Sequence, residues 1–207
     1  MTLFDLLFIV SFLGTVIGLL RIGYLFIRRR NTPARTTTLR LACFVATYGV
    51  ALVVVSLVSP QKIVAMGEPR CFDEWCIDVT AASRQPVIGN IKAKGIFYIV
   101  SLRVRSRSRG RRQRETDVYT YLIDSQSRRF EVSPTGQEAL QRAGLAGMPP
   151  TSFVDPGGAF ESRLAFDVPQ DATGVGFVKT SHGWFPRLLI IGEPGSFLHS
   201  PTIIPLS

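Results

Sequence analysis

Two stretches of this chain carry almost nothing that water would solvate. They are LFDLLFIVSFLGTVIGLLRIGYLFI (residues 3–27) and LACFVATYGVALVVVSLV (41–58). An α-helix rises about 1.5 Å per residue, so roughly 20 apolar residues cover the hydrocarbon core of a bilayer. The second stretch has no charged residue. The first has Asp5 and Arg21, each towards an end, where a carboxylate reaches water and an arginine snorkels. Two buried core helices are the alternative, but 41–58 lacks a polar face and 6–20 lacks helical amphipathicity. A transmembrane helical hairpin over residues 1–60 is expected, with a connector at 28–40.

A cleaved signal peptide begins with a positive region and ends in a small-residue cleavage site. Here the first run is preceded by no Lys or Arg, and the positive charges follow it. RLAC (40–43) resembles a lipoprotein cleavage box only faintly, because Arg40 stands at an apolar position and the apolar span follows it. The connector holds Arg28, Arg29, Arg30, Arg35 and Arg40, whereas the flank after the second run holds Lys62 and Arg70. That asymmetry places the connector in the cytoplasm. Both termini and the segment after about residue 60 are then extracytoplasmic, and the five arginines read as a topology signal.

CFDEWCIDV (71–79) holds two of the three cysteines. Thiols outside the cytoplasm are readily oxidised, so Cys71 and Cys76 are expected to form a disulfide if their Cα atoms approach within about 4.4–6.8 Å. A loop so short contributes only ~2 kcal/mol, a local clip. A redox pair usually has two intervening residues rather than four. Zinc needs three or four ligands, and the remaining candidates, His182 and His199, are distant in sequence. Cys43, inside the second run, reads as a small apolar residue.

From about residue 70 the hydrophobic period is two. In GIFYIVSLRVRSR (95–107), Ile96, Tyr98, Val100, Leu102 and Val104 share one face, with Phe97, Ile99, Ser101, Arg103, Arg105 and Arg107 on the other. EWCIDVTAA (74–82) aligns Trp75, Ile77 and Val79 opposite Cys76 and Asp78. VYTYLIDSQSRRFEV (118–132) reads as strand, turn, strand, and AFESRLAFDVP (159–169) as a strand stopped by Pro169. VGFVKT (175–180) and PRLLIIG (186–192) supply two more strands, and TGQEALQRAG (135–144) one short helix. Short strands with Gly/Pro punctuation predict an antiparallel sandwich or barrel over 69–207. No amphipathic crossover helices support a parallel sheet.

YLIDSQSRRFEV, then DPGGAFESRLAFDVP, then GVGFV resembles a bacterial extracytoplasmic immunoglobulin-like (telokin-like) domain of unknown function. The likeness covers roughly 70–207. It implies a membrane-tethered β-sandwich at the cell envelope, and it implies no catalytic residues. Members often hang from a lipidated cysteine, which this chain replaces with two helices. RSRSRGRRQRE also stands where a short polar connector is usual.

No P-loop, dinucleotide fingerprint or G-x-S-x-G elbow is present; SPTGQ (133–137) and GEPGS (192–196) do not fit. His182 and His199 read as packing or surface residues. No enzyme, cofactor or metal is expected. The net charge of +9 owes much to Arg103, Arg105, Arg107, Arg109, Arg111, Arg112 and Arg114. Guanidinium forks bind phosphate and carboxylate, so this arginine hairpin is a candidate polyanion or lipid-surface contact. A solvated hairpin with a protected edge is the plainer reading. Nucleic acid is not expected, because the run lacks interleaved aromatics. The sequence therefore predicts a non-enzymatic inner-membrane protein presenting an immunoglobulin-like sandwich to an envelope protein or polyanion. Gly14, Ala42, Ala46 and Gly49 permit helix-mediated homo-oligomers.

Overall fold

The structure, a computed structural model, describes residues 3–72, 74–180, 188–192 and 196–206. Two compact units emerge: Met1–Pro60 with Gly183–Ser200, and Gln61–His182 with Pro201–Ser207. The second unit thus begins before residue 69, with Val64 already part of its core.

In the first unit, α1 (Leu3–Ile27) and α2 (Asn31–Val58) form an antiparallel pair. Both are long and apolar enough to cross a membrane, and their apolar windows are 0% and 11% buried. The turn is Arg28–Arg30 alone, with Arg29 at φ 53°. The connector expected at 28–40 is therefore mostly helix, and Arg35 and Arg40 lie on α2. The polar run TPARTTT tolerates helix because its hydroxyls bond back one turn. Thr36 donates to the Thr32 carbonyl (3.2 Å), Thr37 to Pro33 (2.8 Å) and Thr38 to Ala34 (3.0 Å). Gly18 lets Leu41 approach, since a Cβ there would lie 3.0 Å from a Leu41 methyl. Gly14, Ala42 and Ala46 are exposed.

The second unit is a β-sandwich. Its strands are β1 (Arg70–Phe72), β2 (Trp75–Ile88), β3 (Ile91–Ser106), β4 (Tyr119–Ile123), β5 (Arg129–Glu131), β6 (Ala159–Val168), β7 (Gly176–Thr180) and β8 (Ile204–Pro205). They form two four-stranded sheets, ordered β1-β2-β3-β6 and β5-β4-β7-β8, with every strand pairing antiparallel. Trp75, Ile77, Val79, Val100, Leu102, Val104, Leu164 and Phe166 of the first sheet meet Leu122, Phe177 and Ile204 of the second. Phe166 and Phe177 join the sheets edge to face, with ring centroids 6.4 Å apart. The period-two faces of 74–82, 95–107 and 159–169 are thus the inner faces.

The other face of β3 is also buried. Phe97 and Ile99 pack beneath α3 (Pro134–Arg142), against Ala139, Leu140 and Ala165. Ser133 caps α3 by accepting the Gly136 N–H (3.2 Å), and Pro134 occupies its first turn. Gly136 is needed for the close approach, because a Cβ there would meet the Phe97 ring at 2.9 Å. The helix also covers the edge strand β6. The Gln137 side chain donates to the Arg163 carbonyl (3.0 Å) and accepts from the Ala165 N–H (3.2 Å), standing in for a neighbouring strand.

Cys71 and Cys76 are directly opposed across the β1–β2 pair and are disulfide-bonded, with Cα atoms 3.9 Å apart. The bond clips a tight hairpin, with the Cα atoms closer than the roughly 4.4–6.8 Å expected for such a bond. Residues 188–192, expected to be strand, are not; Leu188–Gly192 forms turns in the helical unit. The rest of that expected strand, Pro186 and Arg187, and also His182 and Asp73, lie outside the described residues.

Candidate functional site

The arginine run does not form a hairpin. β3 ends at Ser106, and the chain then crosses to the second sheet, where β4 pairs with β5 and β7 rather than with β3. Residues 107–118 are thus an inter-sheet connection. Backbone bonds fix it on both sides: Arg107 N–H to the Glu74 carbonyl (2.7 Å), and a reciprocal Gln113–Val154 pair (2.9 Å each). The alternation RSRSR has a packing cause. Ser106 and Ser108 are buried, Ser106 Oγ accepts the Ser108 N–H (3.1 Å), and Arg107 and Arg109 are left pointing to solvent.

The seven arginines are not equivalent. Arg105 and Asp78 share the outer face of the first sheet and pair at 3.3 Å, with the Asp78 carboxylate buried. Arg107 Nη1 lies 3.8 Å from the Cys71 sulfur. Arg112 pairs with Asp155 (2.7 Å) at an exposed position, a contact of about 0–1 kcal/mol. Arg112 and Arg114 lie over the Phe153 ring, 5.4 and 5.2 Å from its centroid. Arg103, Arg109 and Arg111 are exposed and make no ion pair among the described residues. Among the described residues, Arg107 and Arg114 also lack an ion pair but contact the Cys71 sulfur and the Phe153 ring, which leaves Arg103, Arg109 and Arg111 with none of these contacts. Sequence reasoning missed Asp78, Phe153 and Asp155, which come from β2 and the 150s loop and are adjacent only after folding.

Of the five arginines expected in the connector, Arg28, Arg29 and Arg30 occupy the exposed helix turn, while Arg35 and Arg40 are exposed on α2. Arg28 lies 5.4 Å from the Tyr24 ring centroid.

The tightest ionic cluster sits at the β4–β5 turn. The Asp124 carboxylate accepts the N–H groups of Gln126 and Arg128 (2.9 Å each) and the Arg128 Nε–H (2.7 Å). Arg128 reaches on to Asp171 (2.9 Å). Burial alone would raise the Asp124 pKa. The bonds from Arg128 and Gln126 outweigh it and hold the carboxyl below the usual range. Asp171 and Asp124 in turn raise the Arg128 pKa. This cluster is a turn lock: Arg128 engages both carboxylates through Nε and Nη1, while its Nη2 is buried without a hydrogen-bond partner among the described residues.

An open groove of about 1000 Å³ is lined by Lys94, Glu131, Asp167 and Asp171. Its acids are also engaged, with Asp167 accepting the N–H groups of Lys94 and Gly95 (2.9 and 3.0 Å). No group of three or more His, Cys, Asp or Glu arranged to hold a metal occurs among the described residues. His199 is half-buried near the end of the 183–200 segment.

No protein-family model matches the chain, and no curated protein matches it. Among solved structures, it is similar to a conserved hypothetical protein from Bacillus anthracis at 9% identity and TM-score 0.46, covering 56% of this chain and 87% of that one. It is also similar to an uncharacterized beta-sandwich protein from Clostridium difficile at 10% identity and TM-score 0.44, covering 72% and 96%. A secreted protein from Mycobacterium tuberculosis matches at 11% identity and TM-score 0.45, covering 60% and 92%. The sandwich assignment here rests on the chain's own strand pairings.

The depressed Asp124 pKa fixes the sign of a pH effect. Its contribution is fully present above the unfolded carboxyl value of about 3.9 and is lost as pH falls through the lower folded value. Asp124→Asn should lower the thermal midpoint of the β signal at pH 7. The gap between wild type and variant should then narrow below about pH 4. Thermal melts of both proteins across that range measure it.

Proposed function

We propose that this chain is a membrane-anchored envelope protein of the inner or plasma membrane. In this reading α1 and α2 cross the bilayer, Arg28–Arg30 faces the cytoplasm, and both termini lie outside. An immunoglobulin-like sandwich is presented to an extracytoplasmic protein partner, which it binds without catalysis. One observation carries the reading: Phe4, Leu7, Val10, Leu13, Leu20 and Phe26 are among many large apolar side chains exposed along α1 alone. Water-soluble monomers rarely expose contiguous apolar patches beyond a few hundred Å². Arginines concentrated at the single helix turn give the orientation. The Cys71–Cys76 bond suits an oxidising compartment.

A second reading is favoured by Arg103, Arg109 and Arg111, exposed and without an ion-pair partner among the described residues. They would recognise an anionic polymer or lipid headgroup at the outer face, adding electrostatic affinity to the protein contact.

Sidedness tests the first reading. A tail-fused reporter pair, one member active only in the cytoplasm and one only outside, should give the outside signal. A cytoplasmic signal would reject it.

For the second reading, the full chain in neutral phosphatidylcholine nanodiscs should bind polyphosphate, with affinity falling steeply as salt rises through the range where the Debye length shortens to about 8 Å. Replacing Arg103, Arg109 and Arg111 with Gln should weaken that binding at least about tenfold while leaving the melting temperature unchanged. Salt-insensitive binding, or binding untouched by the triple variant, would reject it.

A further inference from the structure

Tyr48 is at an unusual depth for a tyrosine in an apolar span. Tyrosines of such spans favour the membrane–water interfaces, and a hydroxyl away from water needs a partner. Tyr48 instead stands near the middle of the uncharged run 41–58, about 15 Å along the helix axis from Val58. Its hydroxyl donates to the carbonyl of Leu189 at 2.6 Å.

Leu189 belongs to the long connection between β7 and β8. Residues 183–200 of that connection fall in the same compact unit as the two helices. Leu189 completes the lining of an apolar cleft of about 250 Å³ with Phe8, Phe12, Phe44, Tyr48 and Leu52. Three residues on, Gly192 lies beside Phe4, whose ring carbons would be 3.9 Å from a Cβ placed there. Between Leu189 and Gly192 the segment therefore runs along the pair from mid-helix to the N-terminal end of α1.

Its chemistry fits that position. LLIIGEPGSFLHS (188–200) contains one formally charged residue, Glu193. Ile191 is buried, while Leu188, Phe197 and Leu198 are 38%, 53% and 53% exposed. Irregular backbone is tolerated at membrane depth only where its polar groups are bonded. The Leu188 carbonyl accepts the Phe197 N–H (2.9 Å), and the Leu189 carbonyl accepts the Tyr48 hydroxyl.

We infer that residues 188–192 and 196–198 form a third membrane element. The segment re-enters the leaflet on the side of the helix termini, is pinned by Tyr48, and contacts lipid acyl chains through Leu188, Phe197 and Leu198. It rests on the proposal that α1 and α2 cross the bilayer.

The test uses the full chain carrying Cys43→Ala, with the disulfide kept oxidised, in phosphatidylcholine–phosphatidylglycerol bilayers. A nitroxide is attached at Leu198→Cys, at Phe12→Cys as the helix control and at Gln85→Cys as the aqueous control. Collision with oxygen, which partitions into lipid, is compared with collision with a water-soluble nickel chelate. The Leu198 site should match Phe12, with an oxygen-to-nickel ratio several-fold above that of Gln85. Tyr48→Phe should move the Leu198 ratio towards the Gln85 value. If Leu198 matches Gln85 while Phe12 remains lipid-exposed, the re-entrant segment is overturned and the spanning helices stand. If Phe12 also matches Gln85, the spanning reading itself fails. Inaccessibility of Leu198 to both reagents would mean burial in protein and would overturn the lipid contact. An unchanged ratio in Tyr48→Phe would overturn the pin.

Discussion

Apolar side chains that the protein itself leaves uncovered on α1 and α2 set the terms for everything else. A helix in water hides one stripe against a neighbour and shows a polar face to solvent. These two helices touch each other, yet few residues of their apolar runs are buried. Within the proposed reading, lipid supplies the missing cover. The arginine-rich turn then becomes a stop on the cytoplasmic side, and threonine back-bonds let α2 extend beyond the hydrocarbon without a loop. A helix of 28 residues is about 42 Å long, more than the ~30 Å core requires, so in that reading its first turns would stand in the headgroup region.

The sandwich obeys the opposite rule: it closes its own apolar surface. β3 is buried on both faces, by the second sheet through Val100, Leu102 and Val104 and by α3 through Phe97 and Ile99. That double packing makes β3 the rigid centre of the first sheet. The arginines emerge where the burial stops, at the end of β3 and along the connection to the second sheet. Buried serines and backbone bonds to Glu74 and Val154 hold that connection, so the exposed guanidinium groups project from ordered chain. Gln137 does for β6 what a partner strand would otherwise do, and so leaves that edge poor at recruiting another chain.

Much of this was legible in the sequence because the signals are local. Helix length and polarity marked residues 3–27 and 41–58, and period-two alternation marked the inner faces of β2, β3 and β6. The short helix expected at 135–144 is present as Pro134–Arg142. Signals that needed a distant partner were not legible. Phe97 and Ile99 look like solvent-facing strand residues until α3, some 40 residues on, covers them. Seven arginines within residues 103–114 suggest a charged hairpin until Asp78, Asp155 and Phe153 are brought in by folding. The apolar run 188–192 reads as strand, and only its place against α2 shows that it is not. Tyr48 was a clue that went unread: a hydroxyl in mid-span requires an acceptor from somewhere.

The central claim is that α1 and α2 stand across a bilayer. Polarised infrared spectroscopy of the full chain in oriented lipid multilayers tests it most directly, because the helical amide transition lies along the helix axis. The account predicts axes within about 40° of the membrane normal, the range seen for spanning helices. Helix axes lying in the membrane plane would contradict it.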